Sequence, residues 1–122
     1  DMLTGHTTLA VCNNRRISEH PDFGTPLGGL AIPGWPALLI LAARCQELAP
    51  LGYLGVDMVL DAELGPLILE LNARPGLGIQ IANGRGLRGT LDYIDAAAPL
   101  PTEAEARVAV IRAYHESLQA AT

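Results

Sequence analysis

The sequence predicts an α+β domain in which helices pack on an antiparallel sheet, and three stretches carry that prediction. Tyr53 to Leu60 and Leu67 to Leu71 alternate in side-chain character on either side of a turn at Ala62 to Gly65, as the two arms of a β-hairpin do. After Pro36, apolar residues recur at steps of three and four through Leu38, Leu41, Ala42, Cys45 and Leu48, the spacing of one helix face. A second stripe of Ala104, Val108, Ile111, His115 and Leu118 predicts a terminal helix to about Ala120.

Taken in chain order, Asp1 to Gly5 reads as the end of a strand and its turn. His6 to Val11, rich in Thr, Leu and Val, reads as a strand paired with Arg15 to Ser18. His20-Pro21-Asp22-Phe23-Gly24 and Gly28-Gly29 mark a long irregular connection. Pro36 suits the first turn of the helix that follows, and Trp35 reads as a packing residue at its start. Pro50 and Gly52 end that helix, and Pro75-Gly76 breaks the second strand of the hairpin. Ile79 to Asn83 then forms a short helix closed by Gly84, and Leu87 to Ala97 another. Thr102 and Glu105 have the spacing of a capping box for the last helix.

Composition narrows the function. With 122 residues, the chain is treated as one unit, and 49% hydrophobic against 17% charged residues places it among folded proteins. A net charge of −5 with no basic block excludes nucleic acid as the expected partner. All 8 basic residues are arginine, so the chain has no lysine. Cys12 and Cys45 are too few and too far apart for a disulfide framework or a CxxC site, and as free thiols they fit a reducing cytoplasm. No apolar run approaches the roughly 20 residues that span a bilayer, so no membrane partner is expected. His6, His20 and His115 have no metal-ligand spacing.

The hairpin carries the chemistry. A turn centred between Glu63 and Leu64 sets Asp57 opposite Glu70 and Gly55 opposite Asn72. Val56, Met58, Leu60, Leu67, Leu69 and Leu71 then share the other face, which is expected to be core. Directly opposed like charges destabilise a strand pair by an amount comparable to the roughly 0.2–1 kcal/mol of a favourable one. On spacing alone the two acids are read either as solvated surface residues or as ligands of a cation. Magnesium suits the second reading, being held by one or two carboxylates together with substrate phosphates. Asn72 adds a neutral oxygen, and Gly55 is expected to clear space for a nucleotide. Arg74, in Glu70-Leu71-Asn72-Ala73-Arg74-Pro75-Gly76, is able to fork onto a phosphate or carboxylate.

Asp57 with Glu70-Leu71-Asn72 resembles the signature of the ATP-grasp superfamily, an Asp on one strand and a Glu-x-Asn on the next. The interval between the two acids, and Asn72-Ala73-Arg74-Pro75-Gly76, are similar to the corresponding parts of D-alanine:D-alanine ligases. More narrowly, Gly52 to Asp57, Gly65-Pro66 and Leu69 to Leu77 resemble the alpha-L-glutamate ligase-like group, relatives of RimK and of the sugar-transfer-associated ATP-grasp proteins. His20-Pro21-Asp22-x-Gly24, Ile32-Pro33-x-Trp35 and Ile79 to Asn83 fit the same group, so the resemblance runs from about Asp1 to Leu91.

The resemblance implies that residues 1–122 are the C-terminal, metal-binding part of an ATP-grasp domain. By that analogy Asp57 binds one magnesium, Glu70 bridges two and Asn72 completes the second, with manganese able to substitute. Together they would orient the phosphates of ATP. The implied reaction turns a small-molecule or peptide carboxylate into an acylphosphate that an amine attacks. Arg74 would stabilise charge in that transition state, or, without metal, pair with Asp57 or Glu70. Gln80, Asn83, Arg85 and Arg88 are weaker candidates for the substrate carboxylate, with capping or surface solvation as their ordinary alternative. One departure is plain: the superfamily grips ATP phosphates with lysines of an upstream subdomain, and this chain has none. The expectation is therefore a fragment without its ATP clasp, inactive alone and prone to dimerise through exposed apolar sheet surface. The alternative is a non-enzymatic binding or assembly module with a relic metal site.

Overall fold

The structure, a computed structural model, describes residues 1–121. In order, its elements are β1 (Ala10–Cys12), β2 (Arg15–Ile17), α1 (Trp35–Leu48), β3 (Gly55–Asp61), β4 (Gly65–Asn72), α2 (Gly78–Ala82), α3 (Arg88–Ala96) and α4 (Ala104–Ala120). The α+β class is borne out, with antiparallel pairing divided between two two-stranded sheets, β1-β2 and β3-β4. No helix among the described residues is long and apolar enough to cross a membrane.

The first hairpin is shorter than the sequence suggests. Asn13 and Asn14, both at positive φ (48° and 60°), form its two-residue loop, a conformation that Asn tolerates and that matches the twist of the strands. The preceding His6 to Leu9 stretch pairs elsewhere: His6 bridges Ala31, and the Thr7 amide donates to the Leu30 carbonyl at 2.9 Å. The Thr7 hydroxyl donates to the Leu27 carbonyl at 2.6 Å and accepts from the Leu30 amide at 2.9 Å. The long loop is thereby tied back onto the N-terminal segment. Side-chain patterning reports extended backbone without reporting its partner.

The core lies between α1 and α4, which pack on each other. Leu38 (4% exposed) and Cys45 (2%) are the buried residues of α1, and Ala104 and Tyr114 those of α4. Leu48, expected on the buried stripe, is 83% exposed, because the helix runs past its partner in the last turn. The expected capping box is absent: Glu103 is the N-cap of α4 and no side chain caps it, while the Thr102 hydroxyl lies 3.4 Å from the Glu103 carboxylate. Glu105 instead reaches Arg44 of α1 at 3.0 Å, an exposed pair worth about 0–1 kcal/mol. Both thiols are free.

The start of α1 is anchored by Trp35, whose indole Nε1 donates to the Met2 carbonyl at 2.9 Å. Gly5 makes this possible. It sits at φ 73°, and a Cβ there would lie 2.5 Å from Trp35 Cγ. Gly24 has a similar φ of 64° but open space around it. Gly24→Ala should therefore cost only the left-handed penalty of about 1–2 kcal/mol. Gly5→Ala should add overpacking of about 1–3 kcal/mol. Urea denaturation of both variants tests this, and equal losses would show that the Trp35 contact relaxes freely.

Candidate functional site

The second hairpin places the acids as the sequence predicts, by a route it does not reveal. Gly55 pairs with Asn72, Val56 with Leu71, and Asp57 with Glu70. Beyond Asp57 the register shifts by one: Met58 pairs with Ile68, Val59 with Leu67, Leu60 with Pro66 and Asp61 with Gly65. Leu69 is the extra residue of a β-bulge. The loop spans Ala62 to Leu64 and is centred on Glu63, half a residue from the expected position, and the bulge makes up the difference. Asp61 Oδ1 closes the loop by accepting the amides of Glu63 and Leu64, each at 2.9 Å, and Gly65 takes the φ of 76° that the return needs.

The bulge corrects the expected faces. Opposed residues share a face, so Val56, Met58 and Leu60 stand with Leu71, Ile68 and Pro66. Leu67 lies with Val59 on the side that carries Asp57 and Glu70, and Leu69 is 66% exposed. The apolar face is not core either. Leu60, Ile68 and Leu71 are all exposed, and β3 and β4 pack chiefly on each other.

Asp57 and Glu70 are exposed and Asn72 is half-buried. Asn72 follows Glu70 by two residues, so three oxygen-bearing side chains share one face. One lone pair of Asn72 Oδ1 accepts the Arg74 amide at 2.9 Å, which forms the turn after β4 and leaves a second lone pair free. Gly55 serves this turn. A Cβ there would lie 2.6 Å from Pro75 Cβ, so the missing side chain accommodates Pro75 and not a nucleotide.

Arg74 is exposed and forms no ion pair among the described residues, so the expected pairing with Asp57 or Glu70 is absent. No cluster of three or more His, Cys, Asp or Glu with metal-binding geometry occurs among the described residues, and the carboxylates of this face number two. Two carboxylates and an amide oxygen are hard donors, a set that fits a magnesium ion retaining phosphate and water ligands.

The weaker candidates separate. Gln80 Oε1 accepts the Leu87 amide at 3.0 Å and joins α2 to α3, a structural role. Arg88 lies 3.6 Å from Asp92 with its side chain 93% exposed, a surface pair. Arg85 and Asn83 line a cleft of about 450 Å³ together with Tyr114's neighbour His115. Sequence reading passed over Tyr114, although its place one residue from the predicted α4 stripe was the available signal.

A family model described as sugar-transfer associated ATP-grasp matches residues 1–96. Probable alpha-L-glutamate ligases of Pseudomonas putida strains GB-1 and W619 are each 33% identical over 86 residues, covering 66% of this chain and 28% of theirs. The chain thus spans less than a third of the length of these curated relatives. No solved structure matches it significantly.

The hairpin loop yields a pH prediction. The Leu64 and Glu63 amides hold the Asp61 carboxyl below its ordinary value. A carboxylate depressed in the folded state contributes stability above its unfolded pKa, and loses it as pH falls through the folded one. The amide shifts of Glu63 and Leu64 should therefore titrate with a midpoint below the ordinary aspartate value. A midpoint at or above that value would overturn the assignment.

Proposed function

The chain belongs to the sugar-transfer-associated ATP-grasp family, and from that premise we propose that its second hairpin holds the divalent cation and ATP phosphates of a carboxylate-amine ligase. The observation that carries this reading is the opposition of Asp57 and Glu70 with Asn72 on the same face. Like charges placed opposite each other are unfavourable unless a cation joins them, and the bulge at Leu69 preserves that opposition. Asp57, Glu70 and Asn72 are the residues that would hold magnesium, or manganese in its place. What a bound divalent ion supplies there is charge neutralisation and in-line alignment of the phosphates.

The proposed reaction has a substrate carboxylate oxygen attack the γ-phosphorus of ATP, expelling ADP and forming an acylphosphate. An amine then attacks the acyl carbon and expels phosphate, giving an amide with loss of a proton. Arg74, unpaired and next to the Asn72 turn, is placed to meet negative charge on the transferring group. Similarity to the probable alpha-L-glutamate ligases supports an amino-acid or peptide substrate.

Two experiments test this. Manganese added to the chain should broaden the resonances of Asp57, Glu70 and Asn72 first, and Glu70→Ala should abolish that selectivity. In the complete ligase polypeptide, Glu70→Ala should lower magnesium-dependent ADP release at least about 100-fold, the upper end of what losing a group that only supports a ligand costs. Unselective broadening and undiminished turnover would favour a non-enzymatic binding module.

Arg74→Ala should leave nucleotide binding intact and lower kcat about 10²–10³-fold, as removal of a transition-state donor does. Equal losses in binding and turnover would assign Arg74 to ground-state binding instead.

A further inference from the structure

Two clefts lie away from the acidic hairpin. The larger, about 650 Å³, lies between α1 and α4 and is lined in part by Arg107, whose partners are already in place. That arginine donates to Gln46 Oε1 and, at 2.9 Å, to the Thr102 carbonyl, and lies 3.5 Å from the Glu47 carboxylate. The smaller cleft, about 450 Å³, lies beneath the turn between α2 and α3, and its cation is not satisfied in this way.

Arg85 is that cation. One terminal nitrogen donates to the Tyr114 hydroxyl at 2.9 Å, and the guanidinium carbon stands 5.5 Å from the centre of the same ring. Tyr114 is itself fixed by stacking on Tyr93, with ring centres 4.6 Å apart. The arginine is thus positioned by a phenol and an aromatic face, and no carboxylate pairs with it among the described residues. The cleft's one carboxylate, Asp1, is engaged elsewhere. Its Oδ1 accepts the amides of Leu3 and Thr4 and the Thr4 hydroxyl, and its Oδ2 lies 3.4 Å from Gln119 Nε2. Thr8, Asn83 and Thr90 line the same space with side chains that make no hydrogen bond within the described residues.

We infer that this cleft binds the carboxylate of an amino acid or short peptide, with Arg85 supplying the charge and Thr8, Asn83, Thr90 and His115 neutral polar contacts. The preference for an amino acid rests on the ligase reading, whereas the preference for an anion rests on the cleft itself. A single arginine among neutral donors matches a planar monoanion, and Trp35 offers an apolar wall for an organic body. The volume falls within the range of small-molecule sites, roughly 300–1,000 Å³. Burial, then Arg85 and the Asp1 amino group, lower the His115 pKa, so the ring is neutral at neutral pH and free to contribute either ring nitrogen.

The test is an NMR titration of the 122-residue chain with L-glutamate, without nucleotide or metal, following the rings of His115 and, as a control, His20. The expected result is a saturable shift of His115 that His20 does not share. The His115 pKa should rise on saturation, because the bound negative charge offsets Arg85 and the Asp1 amino group, with the Asp1 carboxylate and Tyr114 unchanged. Arg85→Gln should weaken binding at least tenfold, and Thr90→Val less, which keeps a readout if the first variant misfolds. No saturable shift, unchanged affinity in both variants, or tighter binding of inorganic phosphate than of glutamate would each overturn the inference. Because no metal or ATP is present, its failure is distinguishable from failure of the hairpin site, which the manganese measurement reads separately.

Discussion

Helices α1 and α4 hold each other, and nearly everything else in the chain hangs from that contact. The most buried residues, Leu38 and Cys45 on one helix and Ala104 and Tyr114 on the other, are few, so each carries a large share of the packing energy. Full burial of a Leu contributes about 1.5–3 kcal/mol. The first turn of α1 presents Trp35 to Gly5 and so fixes the N-terminal segment. On α4, Tyr114 receives Arg85 and stacks on Tyr93, which holds the α2-α3 region. Disturbing the helix pair would therefore loosen both ends of the molecule at once. The hairpin would be less affected, since it packs chiefly on itself.

The acidic hairpin and the helical core are built on different terms. The core gains from removing apolar area from water, whereas the hairpin leaves Leu60, Ile68, Leu69 and Leu71 exposed and brings two like charges together. An isolated two-stranded hairpin is marginal in water. Its order here rests on local devices: the Asp61 carboxylate over its loop, the Asn72 oxygen over the Arg74 amide, and Pro75 set against Gly55. Each of these is a side chain satisfying backbone at a strand end. Together they keep the acidic face in register without the support of a packed neighbour.

Much of this was legible in the residues. The helix boundaries followed from three- and four-residue periodicity with Pro36, Pro50 and Gly84 as punctuation, and Asp57 did come to oppose Glu70. The bulge could not be read, because alternation counts residues and an extra one in β4 looks like the other side of the same pattern. That is why Leu67 and Leu69 were placed on the wrong face, and why Pro66 and Ile68 were missed. The role of Gly55 was hidden for a related reason: its close neighbour, Pro75, lies across a turn. Thr102 and Glu105 had the spacing of a cap, but Arg44, far away in sequence, competes for the glutamate. Tertiary partners decided each of these cases, and spacing along the chain carries little information about them.

The bulge also bears on how the hairpin could change length over generations. Loss of Leu69 would restore a regular ladder and still leave the two acids facing each other, since Met58 already pairs with Ile68 and Asp57 with Glu70. Loss of a residue between Asp57 and Asp61 has no such slack, and would move one acid to the opposite side of the sheet from the other. Insertions and deletions are thus channelled to one strand of the pair, and there to one position. The heritable freedom of the motif lies in β4, and its fixed ruler is β3.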